Sequence, residues 1–369
     1  MMLRSYLASA ILFLAAVASC AAPAQVDISR QASSEASVPL QGSAAAPQPK
    51  EGVAPRQAAH VRTLSEVAQR CFPAAVVLAG PNGAATGAGV IVHEAGYILT
   101  TNGAALDGGF ATMVPPKAPA PAPQKPGQPR PTPPPPAKKY PYQVIARLPQ
   151  ADTALLKITA EAPFAAVPLG WSDDLMLGES VFVISNPIGL PGPAMAGIIS
   201  GPERLLPNTP CPLIQTNAAT GKGSIGGPLI NSVGRLIGLV RSKYTEKSAQ
   251  DISLVIPINQ IRQAVPQTLT EKKSGVLLGL TVSPLVKANV TAVEPGSPAD
   301  RAGLRVGDTL TRIGGFRIGD GLHYCLALAG LKAGSEVAVE FRRGGAEHRV
   351  SLRPESAPKE EAPKTSAAK

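Results

Sequence analysis

The densest chemistry in this chain lies in one glycine-rich turn, Gly221-Lys222-Gly223-Ser224-Ile225-Gly226-Gly227-Pro228-Leu229. The turn offers a hydroxyl at Ser224 and an amine at Lys222, on a backbone that glycine frees to take angles closed to other residues. Acyl transfer needs a nucleophile, a base within hydrogen-bond reach of it and a group that orients the base. Four histidines could supply a base, His60, His93, His323 and His348, and none is near the turn in sequence. Each reads as a surface or partly buried histidine, which leaves Lys222 as the base the turn could lend to Ser224. The cysteines, Cys20, Cys71, Cys211 and Cys325, have spacings that fit no metal site, and neither metal nor cofactor is expected.

Short Val- and Ile-rich runs bounded by Gly or Pro must position this turn. Residues 74–79, 89–93, 97–102, 110–114 and 142–148 read as strands. A helix is expected over 65–71 with Ser65 as its cap, and another over 259–265 capped by Asn259. Further on, 297–302 and 321–331 read as helices, and 337–342 with 348–352 as an antiparallel pair. Between them the chain carries 39 Pro and 36 Gly against 4% aromatic residues, so part of it is linker while the aliphatic remainder builds cores. Residues 21–62 and 355–369 read as disordered, and 115–139 as a basic polyproline excursion on a hairpin tip.

The turn and its surroundings resemble the nucleophile region of trypsin-like serine proteases of the HtrA (Deg) family, where it reads Gly-Asn-Ser-Gly-Gly-Pro-Leu. Ile225 stands at the serine position here and Ser224 at the asparagine before it. The block Gly87-Ala88-Gly89-Val90-Ile91-Val92, followed by Gly96-Tyr97-Ile98-Leu99-Thr100-Thr101-Asn102, is similar to the strands that precede the family's catalytic histidine. The residue at that histidine position is Gly103. Asp152-Thr153-Ala154-Leu155-Leu156-Lys157-Ile158 matches the aspartate block, with Asp152 at the third triad position. Glu294-Pro295-Gly296-Ser297-Pro298-Ala299-Asp300-Arg301-Ala302-Gly303-Leu304 resembles a PDZ domain of the same family. Leu277-Leu278-Gly279-Leu280 matches its carboxylate-binding loop.

The resemblance implies a mostly β protein: a trypsin-like double β-barrel over 63–271, then an α+β PDZ domain over 272–354. It implies that a peptide C-terminus would be held at Leu277, Leu278, Gly279 and Leu280, with Leu322 and Leu326 on the facing helix. With Gly103 and Ile225 unable to take a proton or attack a carbonyl, the expectation is a chain that is not an enzyme. That reading is a pseudoprotease binding peptides or protein C-termini as an envelope adaptor or quality-control subunit. Two alternatives stay open: an active serine endopeptidase with a non-standard site at Ser224, and a structural envelope protein.

Charge and termini bound the partners. The net charge of +10 is concentrated in stretches such as 113–139, which holds five Lys or Arg and no acid. Basic residues are not interleaved with aromatics, which argues against nucleic acid. Residues 1–20 read as a secretory signal ending in Val17-Ala18-Ser19-Cys20, a lipobox-like exit that makes Cys20 a lipidation candidate. The expected location is periplasmic or cell-envelope, with membrane anchoring through Cys20. Active HtrA-type proteases and further copies of the chain are candidate partners beside peptides. With Cys20 lipidated, an odd number of cysteines remains; buried free thiols are the expectation, with a Cys71–Cys211 bridge as the alternative.

Overall fold

A computed structural model describes residues 63–113, 138–184, 194–207, 209–243, 252–269, 271–285 and 287–357. The signal segment with Cys20, the linker with His60 and most of the proline-rich excursion lie outside the described residues.

Two closed six-stranded antiparallel barrels and a smaller α+β module make up the fold. The first barrel holds β1 (Ala75–Ala79), β2 (Ala85–His93), β3 (Tyr97–Thr101), β4 (Phe110–Met113), β5 (Lys139–Leu148) and β6 (Thr153–Ile158), closed by pairing of β1 with β4. The second holds β7 (Ser180–Ile184), β8 (Ala194–Arg204), β9 (Leu213–Thr216), β10 (Pro228–Asn231), β11 (Leu236–Lys243) and β12 (Ser253–Pro257), closed by β10 against β7. Aliphatic side chains of the strands are packed away from solvent: Ile91, Ile98, Leu99, Leu155 and Leu156 of the first barrel and Val183, Ile214, Leu229 and Val255 of the second are fully buried. The ends of the excursion meet as neighbours, since Thr112 of β4 pairs with Lys139 of β5.

Helix α1 (Leu64–Cys71) begins one residue earlier than the sequence suggests, and its cap is Thr63 rather than Ser65. The Thr63 hydroxyl accepts from Glu66 N at 3.3 Å and Thr63 N donates to the Glu66 carboxylate at 2.8 Å, a reciprocal pair that satisfies two helix-end donors. Helix α2 (Ile258–Thr268) follows β12, and Asn259 is not its cap. Asn259 is wholly buried inside the first turn, where its side-chain oxygen accepts from Arg262 at 3.0 Å. Cys71, Cys211 and Cys325 are free buried thiols, so the Cys71–Cys211 bridge is absent.

The second module runs through α3 (Glu271–Ser274), β13 (Val276–Leu277), β14 (Leu280–Val282), β15 (Val290–Val293), α4 (Pro298–Arg301), β16 (Thr309–Ile313), β17 (Phe316–Arg317), α5 (Gly321–Gly330), β18 (Val337–Arg343), β19 (Ala346–Leu352) and β20 (Glu355–Ser356). Its α5 packs directly on the barrels. Arg262 of α2 reaches the α5 cap Asp320 at 3.0 Å, both side chains being under a tenth exposed. The Tyr97 hydroxyl of β3 donates to the Leu326 carbonyl at 3.0 Å. His93, at the end of β2, stacks on Phe316 with ring centroids 3.5 Å apart and planes 6° from parallel.

Two outcomes follow. Removing one member of a buried ion pair strands the other, so Arg262→Met should cost about 3–5 kcal/mol in urea unfolding. Adding Asp320→Asn, which keeps a helix cap without the charge, should recover most of it. The second concerns acid. Burial first, then the nearby His323, lowers the His93 imidazole to about 4. The unfolded chain, titrating near 6.5, binds more protons below that pH. Stability present above pH 6.5 is therefore lost as the pH falls toward 4. His93→Phe retains the stack and should remove that part of the slope between pH 7 and 4.5.

Candidate functional site

The reactive turn is held in place by direct backbone contact between the barrels. Ala88 N of β2 donates to the Ile225 carbonyl at 2.7 Å, and Gly226 N donates to Val240 O of β11 at 2.7 Å. Gly226 has φ +82°, and a Cβ on it would collide with the Thr100 hydroxyl and the Ala88 carbonyl. A Cβ on Gly87 would come within 2.6 Å of the Ile225 carbonyl. Glycine at these positions is what lets two strands and a turn approach so closely.

Within the turn, residues 222–224 form one turn of 3₁₀-helix. Ser224 is fully buried and its hydroxyl accepts from Gly221 N at 3.1 Å. The amides of Ser224, Ile225, Gly226 and Gly227 donate to Gly221, Lys222, Val240 and Ser224 carbonyls respectively, the second at a long 3.4 Å. These four donors are directed into the fold rather than toward a substrate.

Two of the three positions of the resemblance, Gly103 and Asp152, are neighbours. Thr101 pairs with Thr153, and Asn102 N donates to Asp152 O at 3.2 Å, which brings Gly103 beside Asp152. Gly103 is exposed, and a Cβ there meets nothing within 4 Å. Asp152 takes a left-handed φ of 46°. Its carboxylate is engaged by Arg241 Nε at 2.9 Å, a link from the first barrel to β11 of the second. No motif marked Arg241; an arginine ending the aliphatic run Leu236-Ile237-Gly238-Leu239-Val240 was the one signal in the sequence. Cys211 is buried nearby; burial pushes its thiol up, with Asp152 adding to this and Arg241 opposing it. A protonated thiol is a poor nucleophile.

The described histidines are committed elsewhere. His93 stacks on Phe316, His323 Nδ1 pairs with Asp320 at 2.8 Å, and His348 stacks on Phe341 at 5.3 Å. Among the described residues there is no group of three or more His, Cys, Asp or Glu able to hold a metal.

The loop 277–280 presents two consecutive donors. Gly279 N and Leu280 N both donate to the Glu271 carboxylate, at 3.0 and 3.3 Å. Gly279 has φ +77°, and a Cβ there would overlap Ser297. Leu278, Leu280, Leu322 and Leu326 are buried in the module's core, while Leu277 is half-buried and pairs in β13 with Glu355. Glu271 and Tyr324, which donates its hydroxyl to Glu271 at 2.8 Å, complete this cluster and carry no motif.

Comparison with known proteins places two domain families on this geometry. Residues 87–239 match the trypsin-like peptidase domain and 290–343 the PDZ domain. Protease Do-like 1, chloroplastic, of Arabidopsis thaliana is 32% identical over 57% of this chain and 54% of its own length. A probable periplasmic serine endoprotease DegP-like of Marinomonas sp. (strain MWYL1) is 29% identical over 74% of this chain and 57% of its own. Serine protease HTRA2, mitochondrial, of Bos taurus is 33% identical over 56% and 50%. The chain spans about half the length of the curated relatives it matches. These matches correct the expectation of a chain that is not an enzyme: the relatives are named as proteases and serine endoproteases, and the peptidase class is the one they support.

The packing around the turn sets a stability contrast. Gly226→Ala should lower stability by about 3 kcal/mol or more, through a strained positive φ and a clash with β2 and β3. Gly103→Ala, entering open space, should change it by no more than about 0.5 kcal/mol. Urea unfolding of the two variants checks this.

Proposed function

We propose that this HtrA/DegP-type chain, a trypsin-like barrel domain followed by a PDZ domain, is an exported peptide-handling protein of the serine endopeptidase class. The observation that carries the peptide half is the pair of converging amides at Gly279 and Leu280. Their shared acceptor is a carboxylate, and the reading takes that as the chemistry the loop would select. A peptide C-terminus is the ligand with that chemistry, and the extended chain behind it can add to a strand edge through main-chain bonds. The leucines at 278, 280, 322 and 326 contribute to this reading through the packing of the loop and α5.

The catalytic half is supported by the relatives' names and by Ser224, the hydroxyl that the reactive turn carries. The geometry puts conditions on it. Ser224 is buried and holds Gly221 N, so a substrate must reshape the turn before its hydroxyl can attack. The position beside Asp152 carries no imidazole, and a general base contributes about 10²–10⁴-fold. Hydrolysis at Ser224 would therefore run at least about a hundredfold below that of a complete triad. Relatives named as periplasmic support export, with Cys20 the proposed site of lipid anchoring.

The test uses the purified full chain with fluorescent casein, a serine-reactive phosphonate probe and an array of peptides with free C-termini. The expected result is slow casein turnover with probe label on Ser224, both lost in Ser224→Ala, while array binding is unchanged. Absence of label and turnover in the unsubstituted chain overturns the catalytic half. Absence of array binding overturns the peptide half.

A further inference from the structure

Glu271 lies on the short connection between α2 of the barrel domain and the loop that begins the PDZ domain. Its carboxylate receives three donors: Gly279 N at 3.0 Å on Oε2, and Leu280 N at 3.3 Å and the Tyr324 hydroxyl at 2.8 Å on Oε1. Two come from the loop and β14, the third from α5. A peptide's terminal carboxylate, with two oxygens and the same charge, would ask for the same donors.

Tyr324 shows how closely the cluster is built around a negative charge. Its hydroxyl has one proton and two acceptors in reach, Glu271 at 2.8 Å and the Leu280 carbonyl at 3.3 Å. The shorter, charge-assisted bond takes the proton. Burial, followed by the Glu271 charge, holds this phenol well above its ordinary range, so it remains a donor. The groove is narrow beyond this point as well. Among the described residues β14 pairs with β15 alone, and its Leu280 carbonyl lies within reach of Tyr324 on α5. A Cβ on Gly321, at the start of α5, would collide with the backbone of Ser283 and Pro284 just past β14.

We propose that Glu271 is an internal ligand of the PDZ domain, occupying the carboxylate subsite in competition with free C-termini. This rests on the peptide-binding reading above. Two carboxylates cannot share three donors at hydrogen-bond distance without an uncompensated charge, so a bound C-terminus requires Glu271 to leave. Eight residues separate Glu271 from Gly279, and a competitor on so short a tether acts at an effective concentration in the millimolar range or above. The apparent affinity for peptides falls by the fraction of molecules in which the subsite is vacant. When Glu271 leaves, Tyr324 can turn to the Leu280 carbonyl, while the amides of Gly279 and Leu280 are released to the incoming chain.

The experiment measures fluorescence polarisation of decapeptides with apolar residues randomised over the last three positions, as free acids and as C-terminal amides. The full chain is compared with Glu271→Ala and Glu271→Gln, and amide hydrogen exchange at Gly279 and Leu280 is followed in each. The expected result is at least tenfold tighter binding of the free acids by Glu271→Ala, a smaller gain for Glu271→Gln, and no gain for the amides. Exchange at both amides should quicken in Glu271→Ala without peptide. Equal affinity of the unsubstituted chain and Glu271→Ala for the free acids overturns the internal ligand and leaves peptide binding standing. Binding by no variant overturns the peptide reading, and slow exchange persisting in Glu271→Ala then overturns the internal contact on its own.

Discussion

The arrangement of barrels and PDZ domain depends on one buried ion pair. Arg262 and Asp320 are both under a tenth exposed, and charges taken out of water must be fully answered or they destabilise. Here they are answered. Arg262 gives Nη1 to the Gly170 carbonyl at 2.6 Å and to Asn259 at 3.0 Å, and its guanidinium lies 5.5 Å from the Trp171 ring. Asp320 accepts from His323 N at 3.1 Å while also capping α5. Burial alone would raise the Asp320 carboxyl, yet the His323 bonds and the charges of His323 and Arg262 hold it below its ordinary value. The same pair thus fixes the start of the groove helix and its seat on α2.

A second constraint operates at the seam between the barrels. Backbone contact among β2, β3 and the turn at 221–227 leaves no room for side chains at Gly87 and Gly226, so the turn is specified by packing. Asp152 is used there as a strut, tied to Arg241 across the seam. The pair is a quarter to a third exposed, which limits its contribution to about 1 kcal/mol. The carboxylate at the third position of the resemblance thus already has a cationic partner.

Local pattern carried much of this fold into view. Short Val- and Ile-rich runs bounded by Gly or Pro marked the strands, and the glycine blocks marked the turns, because those signals depend on residues adjacent in the chain. Caps were less legible. Ser65 and Asn259 are good cap types, but the reciprocal Thr63–Glu66 pair won at α1, and at α2 Arg262 drew Asn259 into the helix. The positions 103, 152 and 225 were singled out through the short motifs that surround them. Arg241, Glu271 and Tyr324 were not, since each acts on a partner many residues away: 89 for Arg241 with Asp152, and 53 for Tyr324 with Glu271. No periodicity or spacing rule reports on such pairs.

The ion pair and the Tyr97 hydrogen bond bear on which side of the proposed peptide groove could give way. Helix α5 is tied to the barrels through Asp320 at its start and through the Leu326 carbonyl, held by Tyr97, further along. Moving it would break a buried ion pair and a buried hydrogen bond at once. The other wall begins with α3, where Glu271 is joined to the end of α2 by two residues and holds the loop through two amide bonds that, on the proposal above, a ligand carboxylate would take over. On the proposal, displacement at Glu271 would cost less than displacement of α5, because the two amide bonds would be remade with the incoming chain. On that proposal, opening leaves the Arg262–Asp320 and Tyr97–Leu326 contacts in place.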